Sequence, residues 1–416
     1  MNQRLAIALF SINTVTAFAG NPLEGRWDAV LQTANAAIPF RLDITGEGPS
    51  LKGILYNGDD TESTTKASFS NNLLVLDLGH YLTKISATYR DGQLLGKVEM
   101  RGDKNPEGSG FSAIRHKNVK LDAAGVPNIA GSWEIPLEKP TPKGEQAWRF
   151  IVKQNGAEAF ASTLRVDGDT GALTGAWHNG KFALSHFDGS RPGLLEVTPL
   201  ADGNLQLVES ASNRPGTLTA YRPEVARAKG FPQPADYVAH STMRDPNEVF
   251  TYKFPDVNGK VLSNDDPKFK GKVVLAIVTG TWCPNCHDEA QYLVQLYKKY
   301  KDRGLEIVAL DFEEPEQQEG LSRVHDFVKQ YGVEYTYLIA GAPAEMWEKV
   351  PQVVNLNTWP ATLFVGRDGK VAKIHAGFAS AASGEYNKQL QAEFTSTIEQ
   401  LLSQSPATPV SSASLR

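Results

Sequence analysis

Cysteine is almost missing from this chain: 416 residues hold two, Cys283 and Cys286. That scarcity excludes a second CxxC pair to complete a four-ligand zinc site, and His287 alone does not replace one. It also excludes a staple across a long loop. A bridge over two intervening residues removes almost no loop entropy from the unfolded chain, so stability is a poor reason for the pair. Chemistry is the better reason. A basic excess is missing too: 42 Lys and Arg face 47 Asp and Glu, for a formal net charge of −5. Nothing there attracts nucleic acid or anionic membranes in general. Also lacking is an apolar run long enough to span a bilayer comfortably, so stable membrane insertion is not expected.

The most apolar stretch lies at the start, MNQRLAIALFSINTVTAFAG. Arg4 supplies a positive n-region, Leu5–Phe10 opens an apolar h-region, and Ala17-Phe18-Ala19 offers a cleavage site. Residues 1–19 are read as a signal peptide and the protein as periplasmic or otherwise exported. No cysteine follows the apolar stretch, so a lipid-anchored lipoprotein is excluded. Export places the chain where disulfides persist. A lone CxxC there must be actively reduced, or must itself oxidise something.

The first half reads as short strands, such as Ile38–Ile44, Leu73–Leu78 and Leu94–Met100. Turn signals separate them at Asn57-Gly58, Asp91-Gly92, Asp188-Gly189 and Asp202-Gly203. It also repeats. Gly25-Arg26-Trp27 returns as Gly131-Ser132-Trp133, LKGILYNG at 51–58 as LTGAWHNG at 173–180, and FSAIR at 111–115 as LTAYR at 218–222. The spans Trp27 to Arg115 and Trp133 to Arg222 differ by one residue, although the middle motif sits later in the second copy. Two tandem antiparallel units are expected, 20–120 and 128–225, each a barrel or sandwich of roughly six to eight strands. The G-x-W opening and late arginine resemble lipocalin-like barrels. Trp27, Trp133, Arg115 and Arg222 are read as core packing with a cation–π contact. His80 and His178 are isolated, and Asp167 and Asp169 make a hairpin turn rather than a calcium loop.

From Tyr221 to Val249 the period breaks and prolines accumulate, so 226–248 is read as a linker. After 249 strand and helix alternate. Lys272–Val278 is a buried strand and a helix runs from Cys283 to about Tyr300, with Ala290, Leu293, Val294 and Tyr297 on one face. Further strands fall at 305–312, in YTYLIA, and in a hairpin turning at Asp368-Gly369. Ser383–Gln404 closes this α/β domain, 249–404, and 405–416 is read as a disordered tail.

The cysteines thus fall where a buried strand meets the first turn of a helix. Cys283 faces unpaired N–H groups and the positive helix end, both of which favour thiolate. Pro284 suits that first turn. Cys286, three residues on, can attack a mixed disulfide formed on Cys283.

The stretch KVVLAIVTGTWCPNCHDEAQYLVQLYKKY is similar to the thioredoxin superfamily, and most of all to TlpA/ResA-like exported thiol–disulfide oxidoreductases. The resemblance covers about 249–404. It implies a thioredoxin fold and a Glu289 that shuttles the proton of Cys286. It also implies a cis-proline loop at Trp359-Pro360, which with Trp282 and Pro284 would contact substrate. Thioredoxin itself places an acid six residues before the first cysteine, where this chain has Ile277. A peroxiredoxin would need threonine at Gly280. Trp359 is bulkier than the family's usual residue, and Gln291 stands near where a proline is common.

The sequence is therefore read as an exported oxidoreductase, tilted toward protein disulfide reduction because the Pro284-Asn285 dipeptide lacks a histidine. No cofactor beyond the Cys283/Cys286 pair and no metal is expected. Partners would be protein disulfide or dithiol clients and a membrane thiol electron donor. The competing reading is a binding module, in which the β half captures a client or ligand and the thioredoxin fold only docks.

Overall fold

A computed structural model describes residues 21–102, 105, 107–210 and 216–405. The signal-peptide and tail readings fall outside them. Two β-barrels precede a thioredoxin fold. Alternation of buried and exposed residues builds the first barrel, since every second side chain of a strand shares a face. Ala37–Thr45 shows this cleanly, with Ile38, Phe40, Leu42 and Ile44 buried. The strand order starts from Asp60–Ser63 and passes through Lys52–Asn57, Ala37–Thr45 and Gly25–Gln32. It continues through Ser109–Arg115, Gln93–Glu99, Thr83–Arg90 and Leu73–Leu78 to Lys66–Ser70. The two edges meet at one corner: the Thr64 N–H donates to the Gly53 carbonyl and the Thr65 N–H to the Asp77 carbonyl.

The second barrel repeats the plan. It runs from Gly131–Pro136 through to Gly216–Ala220, and reciprocal backbone bonds between Glu134 and Tyr221, each 2.8 Å, join its ends. Each sheet has nine strands rather than six to eight, because tight turns leave room for short extra ones. The strand Glu158–Arg165 precedes the LTGAWHNG strand, which is why that motif comes late in the second copy. Trp27 and Trp133 hold matching places. Each indole N–H donates to a carbonyl four residues back, Leu23 at 2.8 Å and Ile129 at 2.9 Å. Arg115 and Arg222 cover the rings at 4.1 and 3.7 Å.

The third domain has a five-stranded sheet in the order β3-β2-β1-β4-β5. These are β1 (Val273–Thr279), β2 (Leu305–Phe312), β3 (Thr336–Gly341), β4 (Ala361–Val365) and β5 (Val371–Ala376). The first three are parallel, β4 runs antiparallel to β1, and β5 runs antiparallel to β4. Every residue of β1 is buried, as a strand covered on both faces requires. Helix α1 (Pro284–Tyr300) and α3 (Glu385–Ser403) supply Ala290, Leu293, Leu296, Phe394 and Ile398 to one face, along with α2 (Ser322–Tyr331). Leu296 rather than Val294 completes the buried stripe of α1.

The stretch read as a linker is fastened at both ends. Pro223–Ala228 is helical, and Thr242–Met243 pairs with Val353–Val354. Between them Tyr237 accepts a 2.9 Å hydrogen bond from Arg149 of the second barrel and bonds Ala376 through its carbonyl. Ile151 and Leu164 of that barrel share one apolar cluster with β1, α1 and α3. The second barrel and the thioredoxin fold therefore share a core at this contact.

Candidate active site

The motif sits at the carboxyl end of β1. Cys283 is the residue just before α1, with extended backbone, and Pro284 is the first helical residue. Both cysteines are buried free thiols. The Cys283 Sγ donates to the Trp359 carbonyl at 3.4 Å, and the Trp359–Pro360 peptide is cis. Trp282 donates its ring N–H to the Phe312 carbonyl at 2.9 Å and meets Trp359 edge-on at 5.2 Å. The structure therefore brings Trp282, Cys283, Pro284, Cys286, Trp359 and Pro360 to one place. Substrate contact by the two tryptophans is an expectation of the resemblance that this geometry accommodates.

Glu289 is one turn beyond Cys286 on the same helix face and 1% exposed. Thr362 donates to its Oε1 at 2.5 Å. Thr362 is the β4 partner of Ile277, the position where thioredoxin keeps its acid. Burial pushes the Glu289 carboxyl up to about 8, against the opposing Thr362 bond. Burial, then the neighbouring Cys283, also pushes the Cys286 thiol well up. A buried acid near neutrality beside a reluctant thiol can hand protons back and forth.

Sequence reasoning missed a second buried acid group. Asp311, the β2 partner of Thr279, is fully buried, and Tyr337 donates to it at 3.3 Å. Burial and the adjacent Glu313 push its carboxyl well up. Arg323 of α2 neutralises Glu313 at 2.8 Å and bonds the Thr281 hydroxyl at 3.0 Å. The run DFEE at the end of an apolar strand was the available signal.

His287 is also not the solvated helix residue its position suggests. It is 0% exposed, its Nε2–H donates to the Thr281 carbonyl at 2.7 Å, and its Nδ1 lies 2.9 Å from the Tyr331 hydroxyl. Its ring stacks on Tyr81 of the first barrel at 4.2 Å, with His80 at 5.5 Å. Burial, then His80, keeps it neutral by lowering its pKa well below the usual histidine range. Tyr331 donates to Glu62 of that barrel at 3.2 Å, and Glu62 holds His80 at 3.1 Å.

The second barrel meets the motif on the other side. Asn285 donates to the Asp167 carbonyl at 2.8 Å and accepts from Arg191 at 3.0 Å. Gly168 makes that approach possible: a Cβ there would lie 2.6 Å from the Asn285 amide nitrogen and 2.5 Å from the Phe378 carbonyl. Asp169 is not simply a turn residue. It is buried and accepts from Ser380 at 2.7 and 3.0 Å and from Ser383 at 2.5 Å, binding barrel to sheet. Among the described residues no cluster of His, Cys, Asp and Glu is placed to hold a metal, and no helix is long and apolar enough to cross a membrane.

Residues 243–390 match the Redoxin family. The thiol-disulfide oxidoreductase ResA of Bacillus thuringiensis strain Al Hakam is 34% identical over 128 residues, 31% of this chain and 65% of that protein. ResA of Bacillus subtilis strain 168 is 29% identical over 143 residues, 34% and 73% respectively. The third domain is similar to TlpA/ResA-like members of the thioredoxin superfamily. The chain spans just under two thirds of the length of the first of these relatives. Among solved structures, a thioredoxin-family thiol:disulfide interchange protein from Chlorobium tepidum TLS overlies 39% of this chain and 99% of its own. Identity there is 22% and the TM-score 0.30. The fold rests on the strand order itself.

Proposed function

We propose that the protein is an exported thiol–disulfide oxidoreductase that reduces protein disulfides with the Cys283/Cys286 dithiol. The observation that carries this reading is the pairing of that dithiol with buried Glu289 and the Trp359–Pro360 loop. The Cys283 thiolate attacks one sulfur of a client disulfide. A new S–S bond forms to Cys283, the client bond breaks, and the second client sulfur leaves as a thiolate that takes up a proton. Cys286 then loses its proton to Glu289 and attacks the Cys283 sulfur. That forms the Cys283–Cys286 disulfide and releases the first client sulfur. Two electrons pass from the dithiol to the client, and an external dithiol, here assigned to a membrane donor, must restore the pair. Cys286→Ser is expected to accumulate mixed disulfides through Cys283. Trapping by Cys283→Ser instead would reverse the assigned roles. The resolving step should accelerate as pH rises through about 8, where Glu289 becomes a base. Glu289→Gln is expected to slow it about 10²-fold and remove that dependence. An unchanged stopped-flow profile would return Glu289 to a structural role.

A further inference from the structure

The two barrels are copies, and one of them shows what the other is built to hold. Phe187, in the loop after the second barrel's Lys181–His186 strand, is 0% exposed and belongs to the first barrel's apolar cluster. Its ring meets Phe40 edge-on at 4.9 Å. Asn57 holds its backbone, donating to the Phe187 carbonyl at 3.0 Å and accepting from its N–H at 2.9 Å. The first barrel therefore takes an aromatic side chain on an irregular segment and bonds the peptide group beside it.

Registers identify the matching place in the second barrel. Phe40 pairs with Ala29, two residues after Trp27, and Trp148 pairs with Ile135, two residues after Trp133. Trp148 lines a cavity of about 310 Å³ with Leu173, Leu195, Leu207 and Leu218. The Trp148 ring N–H and the Arg165 Nε–H are buried without a hydrogen-bond partner among the described residues. Arg165 lies over the Trp148 ring at 4.5 Å. The cavity thus has an apolar wall, with Glu209, Asp167 and Arg191 also on its lining and two buried donors on lining residues lacking acceptors, an arrangement that suits a bulky apolar side chain flanked by polar backbone. Pro284 and Asn285, the dipeptide between the cysteines, line it as well. Arg191 and the Asp167 carbonyl fix Asn285 there.

We propose that the second barrel is a client pocket: it takes an aromatic or large aliphatic side chain near the cysteine whose disulfide is exchanged at Cys283. This rests on the oxidoreductase reading, and the test separates the two. The full chain would be assayed with disulfide-bonded peptides carrying Phe, or Ala in its place, one to four residues from cysteine. Cysteine-to-serine versions carrying a fluorophore would report binding without exchange. The best Phe peptide is expected to exceed its Ala counterpart at least tenfold in kcat/KM, mainly through KM, with the same preference in binding. In Leu218→Trp, which enlarges a half-buried lining residue, and in Arg165→Ala the ratio should fall toward one. Melting curves would show that these variants fold. Equal binding of Phe and Ala serine peptides to the unaltered protein overturns the pocket, whatever the dithiol does. Decanoate binding where the peptides do not bind overturns the client as occupant. Failure to reduce 2-hydroxyethyl disulfide overturns the oxidoreductase reading, and the serine peptides still decide the pocket.

Discussion

The second strands of the two barrels invite comparison, because registers align them residue for residue. In the first barrel Ala37–Thr45 alternates, and Asp43 opposes Arg26 on the outer face. In the second, Ala147–Asn155 buries Phe150, Ile151 and Val152 consecutively, and Ile151 opposes Ser132. Asp43 and Ile151 therefore occupy equivalent places. An antiparallel strand loses its alternation only where both faces are covered. The second barrel is covered on its outer face by the thioredoxin fold, whereas the first presents a charged pair to solvent there. Duplication supplied two similar scaffolds. Single outward positions decided which of them docks against the redox domain through apolar contact.

Exchanging those residues tests the comparison. Ile151→Asp would place a carboxylate in the cluster shared with β1 and α1, where no described cation is bonded to this position. Stability is expected to fall by more than about 3 kcal/mol in chemical denaturation, with Ile151→Ala costing about 2–5 kcal/mol. A loss under about 1 kcal/mol for Ile151→Asp would mean that this face is not buried in solution.

This contact was legible in the sequence only in part. The run RFIV was present beside FRLDIT, but an uninterrupted apolar triplet does not say what covers it. By contrast the dithiol was plain, because scarcity of cysteine and the strand–WCxxC–helix grammar are local signals. The alternation of strands and helices likewise exposed the third domain's order. The cis Trp359–Pro360 peptide followed from the motif. What escaped was what only tertiary approach creates. His287 and His80 look isolated in sequence and meet across two domains. Gly168 reads as a turn glycine, yet its missing Cβ admits Asn285. Asp188-Gly189 reads as a hairpin turn. The loop that holds it instead crosses from Phe187 in the first barrel to Arg191 at the motif, with Thr83 bonding the Gly189 carbonyl at 2.5 Å.

The first barrel's own contact with the redox domain joins the Tyr81–His287 stack to a set of hydrogen bonds, and losing one of those bonds should have a milder effect. Tyr331→Phe removes the hydroxyl that joins Glu62 to His287. Glu62 keeps His80, so the loss should be about 1–2 kcal/mol rather than the cost of a stranded charge. Tyr331→Phe should also shift the ring resonances of His287 in NMR spectra. Unchanged stability together with unchanged His287 resonances would remove this bridge from the interface.

The smallest effect belongs to the reciprocal exchange, Asp43→Ile. Arg26 bonds Asp43 at 2.7 and 2.9 Å, but the arginine side chain is 41% exposed and water screens the pair. Such pairs contribute about 0.2–1 kcal/mol. The hydrogen bond from Arg26 lowers the Asp43 carboxyl below its ordinary value despite some burial. A carboxylate held low in the native state stabilises fully above its unfolded pKa, about 3.9, and loses that contribution as pH falls through the native value. The gap between wild type and Asp43→Ile should therefore stay below about 1 kcal/mol at pH 7 and shrink further at pH values below the unfolded pKa of about 3.9. Denaturation at pH 7 and in that acid range measures it. A loss above about 2 kcal/mol at pH 7 would show that the first barrel's outer face is covered as well, and the contrast between the two copies would fail at the position that defines it.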